Sequence, residues 1–251
     1  MEQTHLTMNH DPLLVGASFL VAIFAAYAAL ATINHPRQGN ASKRWLWLGA
    51  ATFGLGVWAM HFIAMTALQL DMVVAYDPLI TLASVFFAIF GAAAAFQLVS
   101  KPQVSLTQVL GAGFFLGAGI GVMHYVGMFA MRLDARLEFD LVMVGISVLV
   151  AVVLGTFGIW TLTSPAFNLV PFRYLVTAII TGSAIPFMHY TAMLAAKFTA
   201  TGGEEIHTMV AAGNLFSLNI FLLLAIAVVG LPMFLTSLLE TSGEKPQEVE
   251  A

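Results

Sequence analysis

Three near-identical hexapeptides carry most of the chemistry in this sequence: M-H-F-I-A-M at residues 60–65, M-H-Y-V-G-M at 123–128 and M-H-Y-T-A-M at 188–193. The three histidines are 63 and 65 residues apart, so the hexapeptides form an internal repeat. Each copy places one imidazole and two thioethers in an otherwise apolar stretch, and both groups bind metal ions. The chain contains no cysteine, so any sulfur ligand must be a methionine.

Helical spacing ranks these ligands. In a helix, a histidine and the methionine four residues later lie on one face. The first-rank metal ligands are therefore His61 with Met65, His124 with Met128, and His189 with Met193. The preceding methionines point about 100° away and are of second rank; they are Met60, Met123 and Met188. Thioether sulfur suits Cu(I) and imidazole suits both copper states, so copper is the expected metal, with zinc and haem as alternatives.

The elements that must position these residues are membrane helices. Hydrophobic residues make up 60% of the chain and charged residues 9%, against about 25% charged residues in soluble domains. A membrane-crossing helix needs about 20 apolar residues. Seven segments qualify, which predicts an all-α polytopic membrane protein; they are roughly Leu13–Ile33, Trp45–Leu70, Pro78–Val99, Leu106–Met131, Leu141–Leu162, Phe172–Ala196 and Val210–Thr236.

The repeat extends beyond the hexapeptides to whole helix pairs. An aspartate precedes each odd-numbered span: Asp11, Asp77 and Asp140. These carboxylates either cap the helices or hydrogen-bond a site histidine and gather cations. The expected organisation is an outer tail at 1–9, a membrane domain at 10–236 built from three helix pairs plus a seventh helix, and a polar tail at 237–251. His10, at the edge of the outer tail, is a further second-rank metal ligand.

Charge distribution predicts the orientation. Six Lys and Arg residues fall on one side of the spans and three on the other, which places the N-terminus outside and the C-terminus in the cytoplasm. The histidines lie 16, 18 and 17 residues from the inner ends of their spans, or roughly 24–27 Å. All three therefore share one depth in the outer third of the membrane, and they form a single site if their helices converge.

The sequence contains no motif typical of a hydrolase, a cyclase or a nucleic-acid-binding protein. The chain has no carboxylate pair within a span, no G-x-S-x-G, no H-E-x-x-H and no Gly-rich phosphate loop, so we expect no hydrolytic or cyclase activity, although redox activity is left open. No basic tract suited to nucleic acid is present.

At the three hexapeptides the chain resembles the MHYT domain of bacterial integral membrane sensors, over residues 10–236. The resemblance implies copper binding through the methionines and histidines, and sensing of a diatomic gas (O2, NO or CO) or a redox cue in the bacterial inner membrane. The aromatic position of the family motif is Tyr125 and Tyr190 in two copies but Phe62 in the first. Family members often carry a cytoplasmic cyclic-di-GMP synthase or phosphodiesterase module. Only about 15 polar residues follow the seventh span here, too few to fold alone, so we expect signalling through a separate partner, with a homo-oligomer also open.

The leading hypothesis is thus a copper-binding membrane sensor. Copper uptake, export or storage is the first alternative, although the inner segments Trp45–Trp58 and Leu106–Gly121 contain no His, Met, Asp or Glu to continue a conduit. A haem or redox membrane protein is the second alternative, since two of the three histidines could ligate haem iron.

Overall fold

The fold is a bundle of apolar helices. The computed structural model describes residues 8–33, 41–70, 72, 74–101 and 103–200. Its helices are α1 (Pro12–Ile33), α2 (Ala41–Ala67), α3 (Pro78–Leu98), α4 (Leu106–Phe129), α5 (Leu141–Thr163) and α6 (Arg173–Met193). All six are long and apolar enough to cross a membrane. The predicted seventh span at Val210–Thr236, the tail at 237–251 and most of the outer tail at 1–9 lie outside the described residues.

The six helices form a closed ring in chain order, with α6 packed against α1. The three motif-bearing helices α2, α4 and α6 also contact one another across the interior. Of the described helices, α2 is the most deeply buried and α5 the most exposed. Large apolar side chains point outward around the bundle, among them Phe86 and Phe90 of α3 and Leu149 and Val153 of α5. An apolar outer surface around a helical bundle is what a bilayer requires.

Three short antiparallel strand pairs, which the sequence did not predict, close one end of the bundle. They are β1 (Asn9–His10) with β2 (Leu68–Gln69), β3 (Ala75–Tyr76) with β4 (Met131–Arg132), and β5 (Ala135–Phe139) with β6 (Ala196–Ala200). Each strand pair joins the segment before an odd-numbered helix to the segment after the next helix, and so closes one helix pair. We call the end of the bundle that carries these strands the strand end. A 3-10 helix, Pro165–Leu169, connects α5 to α6 near the opposite end.

The strand pairs explain why three predicted spans ran too far. The spans predicted to end at Leu70, Met131 and Ala196 leave the helical conformation at Ala67, Phe129 and Met193. The apolar pattern continues past these ends because Leu68, Met131 and Ala196 are themselves buried. Their backbone groups pair with a neighbouring strand rather than with the preceding helical turn.

The aspartates before the odd-numbered helices act as helix caps. The Asp77 carboxylate accepts hydrogen bonds from the backbone N–H groups of Leu79 and Ile80 at 3.0 and 3.1 Å. Asp11 and Asp140 cap α1 and α5 in the same way. The aspartate backbone N–H groups also donate to carbonyls at or just after the ends of the motif helices, at 2.8–2.9 Å, in the pairs Asp11 to Ala67, Asp77 to Ala130 and Asp140 to Ala195. These bonds fix where each motif helix ends, and therefore the height of its histidine.

Candidate metal centre

The three motif histidines meet in a compact triangle inside the bundle. Each lies four to six residues before the last residue of its helix, so all three are at one level near the strand end. The Nδ1 atoms of His61 and His189 are 3.1 Å apart, and each lies 3.2 Å from Nδ1 of His124. The ring planes cross at 68–85°, with ring centroids 4.9–5.1 Å apart. The rings therefore form a three-bladed arrangement with Nδ1 of each at its centre.

The described residues leave polar atoms of this triangle without hydrogen-bond partners. The histidines are 0–1% exposed, and none of their Nε2 atoms has a hydrogen-bond partner among the described residues. A neutral imidazole has one N–H and one acceptor nitrogen. If the Nδ1 atoms carry lone pairs, three lone pairs face one another and three Nε2–H groups are buried without acceptors. Unpaired buried polar groups cost free energy, and a cation at the centre would engage all three Nδ1 lone pairs at once.

The size of the triangle fits a metal ion. The point equidistant from the three Nδ1 atoms lies about 1.8 Å from each of them, close to the length of about 2.0–2.1 Å typical of zinc–imidazole bonds. No carboxylate belongs to this group; among the described residues, His61, His124 and His189 are the set of His, Asp or Glu side chains that could hold a metal ion. The residues present thus offer three neutral nitrogen donors in metal-binding geometry.

The six motif methionines divide between two sides of the triangle. The methionines four residues after each histidine lie in one buried cluster at the strand end, together with Met131; we call Met65, Met128, Met131 and Met193 the strand-side methionine cluster. The preceding methionines, Met60, Met123 and Met188, belong instead to the main apolar core. Helical spacing divided the motif methionines into those four residues after a histidine and those directly before one. The structure places these two sets in different clusters.

The aromatic residue after each histidine joins one repeat to the next. Its ring contacts the histidine ring edge to face, with centroids 4.7–4.9 Å apart. The Tyr125 hydroxyl is 2.7 Å from Ser147 Oγ, and the Tyr190 hydroxyl is 3.3 Å from Ser18 Oγ. Both bonds cross from a motif helix to the odd-numbered helix of the following repeat, with α6 joined back to α1.

The first repeat makes the same connection with a different residue. Phe62 has no hydroxyl, and the indole Nε1–H of Trp58 donates instead to Ser84 Oγ at 3.1 Å and to the Thr81 carbonyl at 2.9 Å. Sequence reasoning missed the role of Trp58. A serine lies seven residues after each capping aspartate, at Ser18, Ser84 and Ser147. Because the first motif has phenylalanine in place of tyrosine, this repeat of serines could have indicated that another residue bonds one of them.

His10 lies beside the triangle rather than in it. Its ring packs edge to face on Tyr190 with centroids 5.5 Å apart, as Tyr76 packs on Phe62 and Phe139 on Tyr125. Its Nε2 is buried with no hydrogen-bond partner among the described residues, and burial lowers the pKa of His10. This second-rank residue thus flanks the third motif.

The aspartates do not extend the site. Their carboxylates are engaged by helix N–H groups, and Asp77 also forms a 3.0 Å ion pair with Arg132. The hydrogen bond from the Ile80 backbone N–H, with the nearby Arg132 charge, lowers the pKa of Asp77. The capping interpretation is therefore the one that the contacts support.

Comparison with known proteins places this site in a family. Four stretches of the chain, 3–44, 54–112, 117–173 and 182–244, match the MHYT family, described as a bacterial signalling protein N-terminal repeat. No solved structure matches the chain. Bacterial signalling proteins are similar to it, and three of them are described next.

The bifunctional diguanylate cyclase/cyclic di-GMP phosphodiesterase MucR of Pseudomonas aeruginosa is 33% identical over 77% of this chain. The cyclic di-GMP phosphodiesterase NbdA of the same organism is 32% identical over 82%, and the signaling protein YkoW of Bacillus subtilis is 30% identical over 78%. The alignments cover 29%, 27% and 25% of these relatives, so the chain spans under a third of their length. On the extent of the family match, the chain belongs to the MHYT family of bacterial signalling proteins.

Proposed function

We propose that this chain is a copper-binding sensory protein of the bacterial cytoplasmic membrane that responds to a diatomic gas or a redox cue. The observation that carries the proposal is the triangle of buried Nδ1 atoms, 3.1–3.2 Å apart, whose polar atoms find no partner among the described residues outside the triangle. The family supplies the signalling role, and the residues of the triangle supply the chemistry.

Donor chemistry favours copper over the alternatives. The triangle offers neutral nitrogens without a carboxylate, and soft thioethers lie on its strand side. Zinc accepts imidazole but has little use for thioether, whereas copper uses both. Haem fits poorly, because two axial nitrogens must stand two metal–ligand bonds apart with a macrocycle between them. Here the Nδ1 atoms are within 3.2 Å of one another.

The residues have separate tasks in this proposal. His61, His124 and His189 hold the metal, and Met65, Met128 and Met193 provide soft donors and keep water from the strand side. Met60, Met123 and Met188 remain second-rank ligands from the core side, as does His10 from the edge. Copper, when bound, supplies a redox-active centre that can bind a small diatomic ligand, with different preferred geometries in its two oxidation states.

Signal transmission follows from the contacts of the histidines. Each histidine ring touches an aromatic ring, and Tyr125 and Tyr190 are hydrogen-bonded to the next repeat. A shift of one motif helix would therefore move an odd-numbered helix of its neighbour. Such a device signals only if ligand binding favours one helix arrangement over another.

The output lies outside the region that the relatives share with this chain. The printed names of MucR and NbdA describe enzymes of cyclic di-GMP turnover, and the aligned region covers 29% and 27% of them. We propose that this chain acts on a separate signalling partner on the cytoplasmic side, alone or as a homo-oligomer. The strand end would then face outward, with the N-terminus outside and the C-terminus in the cytoplasm.

Metal content tests the proposal directly. Wild-type protein purified in detergent without added metal, then loaded with copper, should retain copper that the triple variant H61A/H124A/H189A does not. Elemental analysis and Cu(II) EPR give the readout, and circular dichroism checks that the variant remains helical. Equal copper in a folded triple variant would refute the site, and zinc in place of copper would refute the metal assignment. Copper flux in proteoliposomes would favour the handling alternative.

A further inference from the structure

The histidine triangle is closed to solvent, so a metal ion needs a path to it. The three histidines are 0–1% exposed. On the strand side, an open cavity of about 300 Å³ lies beside the strand-side methionine cluster. Met128 and Met131 both line this cavity, together with Arg132 and Leu137. Met128 is fully buried and Met131 is 6% exposed, so the cavity leads from the surface to thioether groups one layer from the histidines.

Met131 is a residue that packing alone does not require. It lies seven residues after His124, and the corresponding residues after the other two histidines are Leu68 and Ala196. All three residues lie in the same buried cluster. Leucine and alanine fill this position in the other repeats, so the second repeat carries a thioether where an aliphatic side chain suffices. It is also the position that meets the open cavity.

The side chains that line the cavity favour a soft monovalent ion over a hard divalent one. Arg132 stands at the rim, with its guanidinium paired to Asp77 at 3.0 Å and donating to the carbonyls of Phe129 and Met131. These bonds hold the Arg132 guanidinium in place, and the Asp77 carboxylate partly offsets its positive charge. The described residues that line the cavity include no carboxylate, which small hard divalent ions prefer, whereas thioether sulfur binds soft ions without needing negative charge.

We propose that Met131 is an exchange ligand: it takes a soft monovalent metal ion from the open cavity and passes it to Met128 and the other strand-side methionines on the way to the histidines. The inference rests on the proposed copper site but adds a residue and a route to it. A single thioether binds weakly, which suits a transfer position. Met131 should therefore affect how fast the site fills and not how much metal it holds.

The test uses the full chain in detergent with [methyl-13C]methionine and two probes, Ag(I) and Cu(I). Addition of Ag(I) should shift the Met131 methyl resonance, assigned by its loss in M131L. The M131L variant, which copies the Leu68 of the first repeat, should load Cu(I) several-fold more slowly than wild type. Its final Cu(I) content should equal that of wild type. M143L is the matched control, since Met143 lies on α5 outside the strand-side methionine cluster.

Each other outcome has a definite meaning. Wild-type loading kinetics in M131L, or a Met131 methyl that Ag(I) leaves unmoved, would overturn the exchange role. A lower final Cu(I) content in M131L would also overturn it, because Met131 would then be a permanent ligand or a structural residue. If wild type holds no copper but the Met131 methyl responds to Ag(I), the proposed function fails while the soft-metal position stands.

Discussion

The His61 ring on α2 lies directly against Gly127 on α4. A methyl group on the Gly127 α-carbon would stand 2.5 Å from His61 Nε2 and 3.0 Å from its Cδ2. The other two motifs have alanine at the corresponding position, Ala64 and Ala192. The glycine of the second motif thus makes room for the histidine of the first, which links two of the three motifs.

The substitution G127A should therefore disrupt the centre, although it makes the second motif more like the other two. The added methyl pushes the His61 ring away from the triangle, and we expect copper affinity to fall by about 10–100-fold. Competition with a chromophoric Cu(I) chelator measures the affinity, and Cu(II) EPR reports the ligand set. The control A192G removes a methyl group and should leave the affinity near wild type. An unchanged affinity and spectrum in G127A would show that the His61 ring is not a ligand in this position.

The two sets of motif methionines should behave differently on substitution. M65L/M128L/M193L removes three thioethers of the strand-side methionine cluster and should lower Cu(I) affinity while leaving Cu(II) binding largely to the histidines. M60L/M123L/M188L keeps a similar side-chain volume in the apolar core and should change Cu(I) affinity much less. Chelator competition under reducing conditions measures both variants. A larger loss in the second variant would reverse the ranking of the ligands.

Sequence spacing predicted which motif side chains share a helix face because helical geometry is local. The His and Met four residues later share a helix face, and the Asp before a helix caps it; both follow from the backbone alone. The convergence of His61, His124 and His189 also required the three helices to adjoin, which only the repeat suggested. Four of the six described strands, such as Asn9–His10, are two residues long and too short to show an alternating pattern. The five-residue strand Ala135–Phe139 does alternate apolar and polar residues, and its pattern was overlooked.

The contacts between repeats could not be predicted from the sequence, for a different reason. The bond from Trp58 to Ser84 and the fit of His61 against Gly127 depend on how α2 packs against α3 and α4. No local rule relates residues 26 or 66 positions apart in sequence. A repeat argument even misleads at Gly127, since it would treat the glycine as a neutral variant of alanine.

The hydrogen bonds between repeats should contribute unequally to stability. The Tyr125–Ser147 bond is 2.7 Å long and the Tyr190–Ser18 bond 3.3 Å. We expect Y125F to destabilise the bundle by about 1 kcal/mol and Y190F by less, since a net intramolecular hydrogen bond contributes about 0.5–1.5 kcal/mol. Thermal or SDS unfolding gives the values, and the cycle of Y125F, S147A and the double variant isolates the pair. Equal effects, or additive effects in the cycle, would contradict this prediction.

The absence of native cysteine permits a test of orientation. We expect the strand end to face outward, so a cysteine at Thr199 should react with an impermeant maleimide added to whole cells. A cysteine at Ser100, at the opposite end of the bundle, should react only after lysis. The cysteine-free wild type is the background control, and the reverse labelling pattern would invert the proposed topology.

Low pH should expose the contribution of Asp77. The hydrogen bond from the Ile80 N–H, with Arg132 nearby, lowers the pKa of Asp77 in the folded protein. A carboxyl with a lowered folded-state pKa stabilises the fold above its unfolded value of about 3.9, and this stabilisation is lost as the pH falls through the folded-state pKa. Asparagine also caps helices well. The D77N variant should therefore keep the helix cap but should not show the loss of stability below about pH 4 that protonation of Asp77 causes. Because the Ile80 backbone bond is the largest single cause, R132Q should retain part of the pH dependence. The effect is measured as the unfolding midpoints of wild type, D77N and R132Q from about pH 2.5 to about pH 7, a range chosen to include the protonated and the ionised carboxyl. Parallel curves for wild type and D77N would show that Asp77 does not set the acid stability of this end of α3.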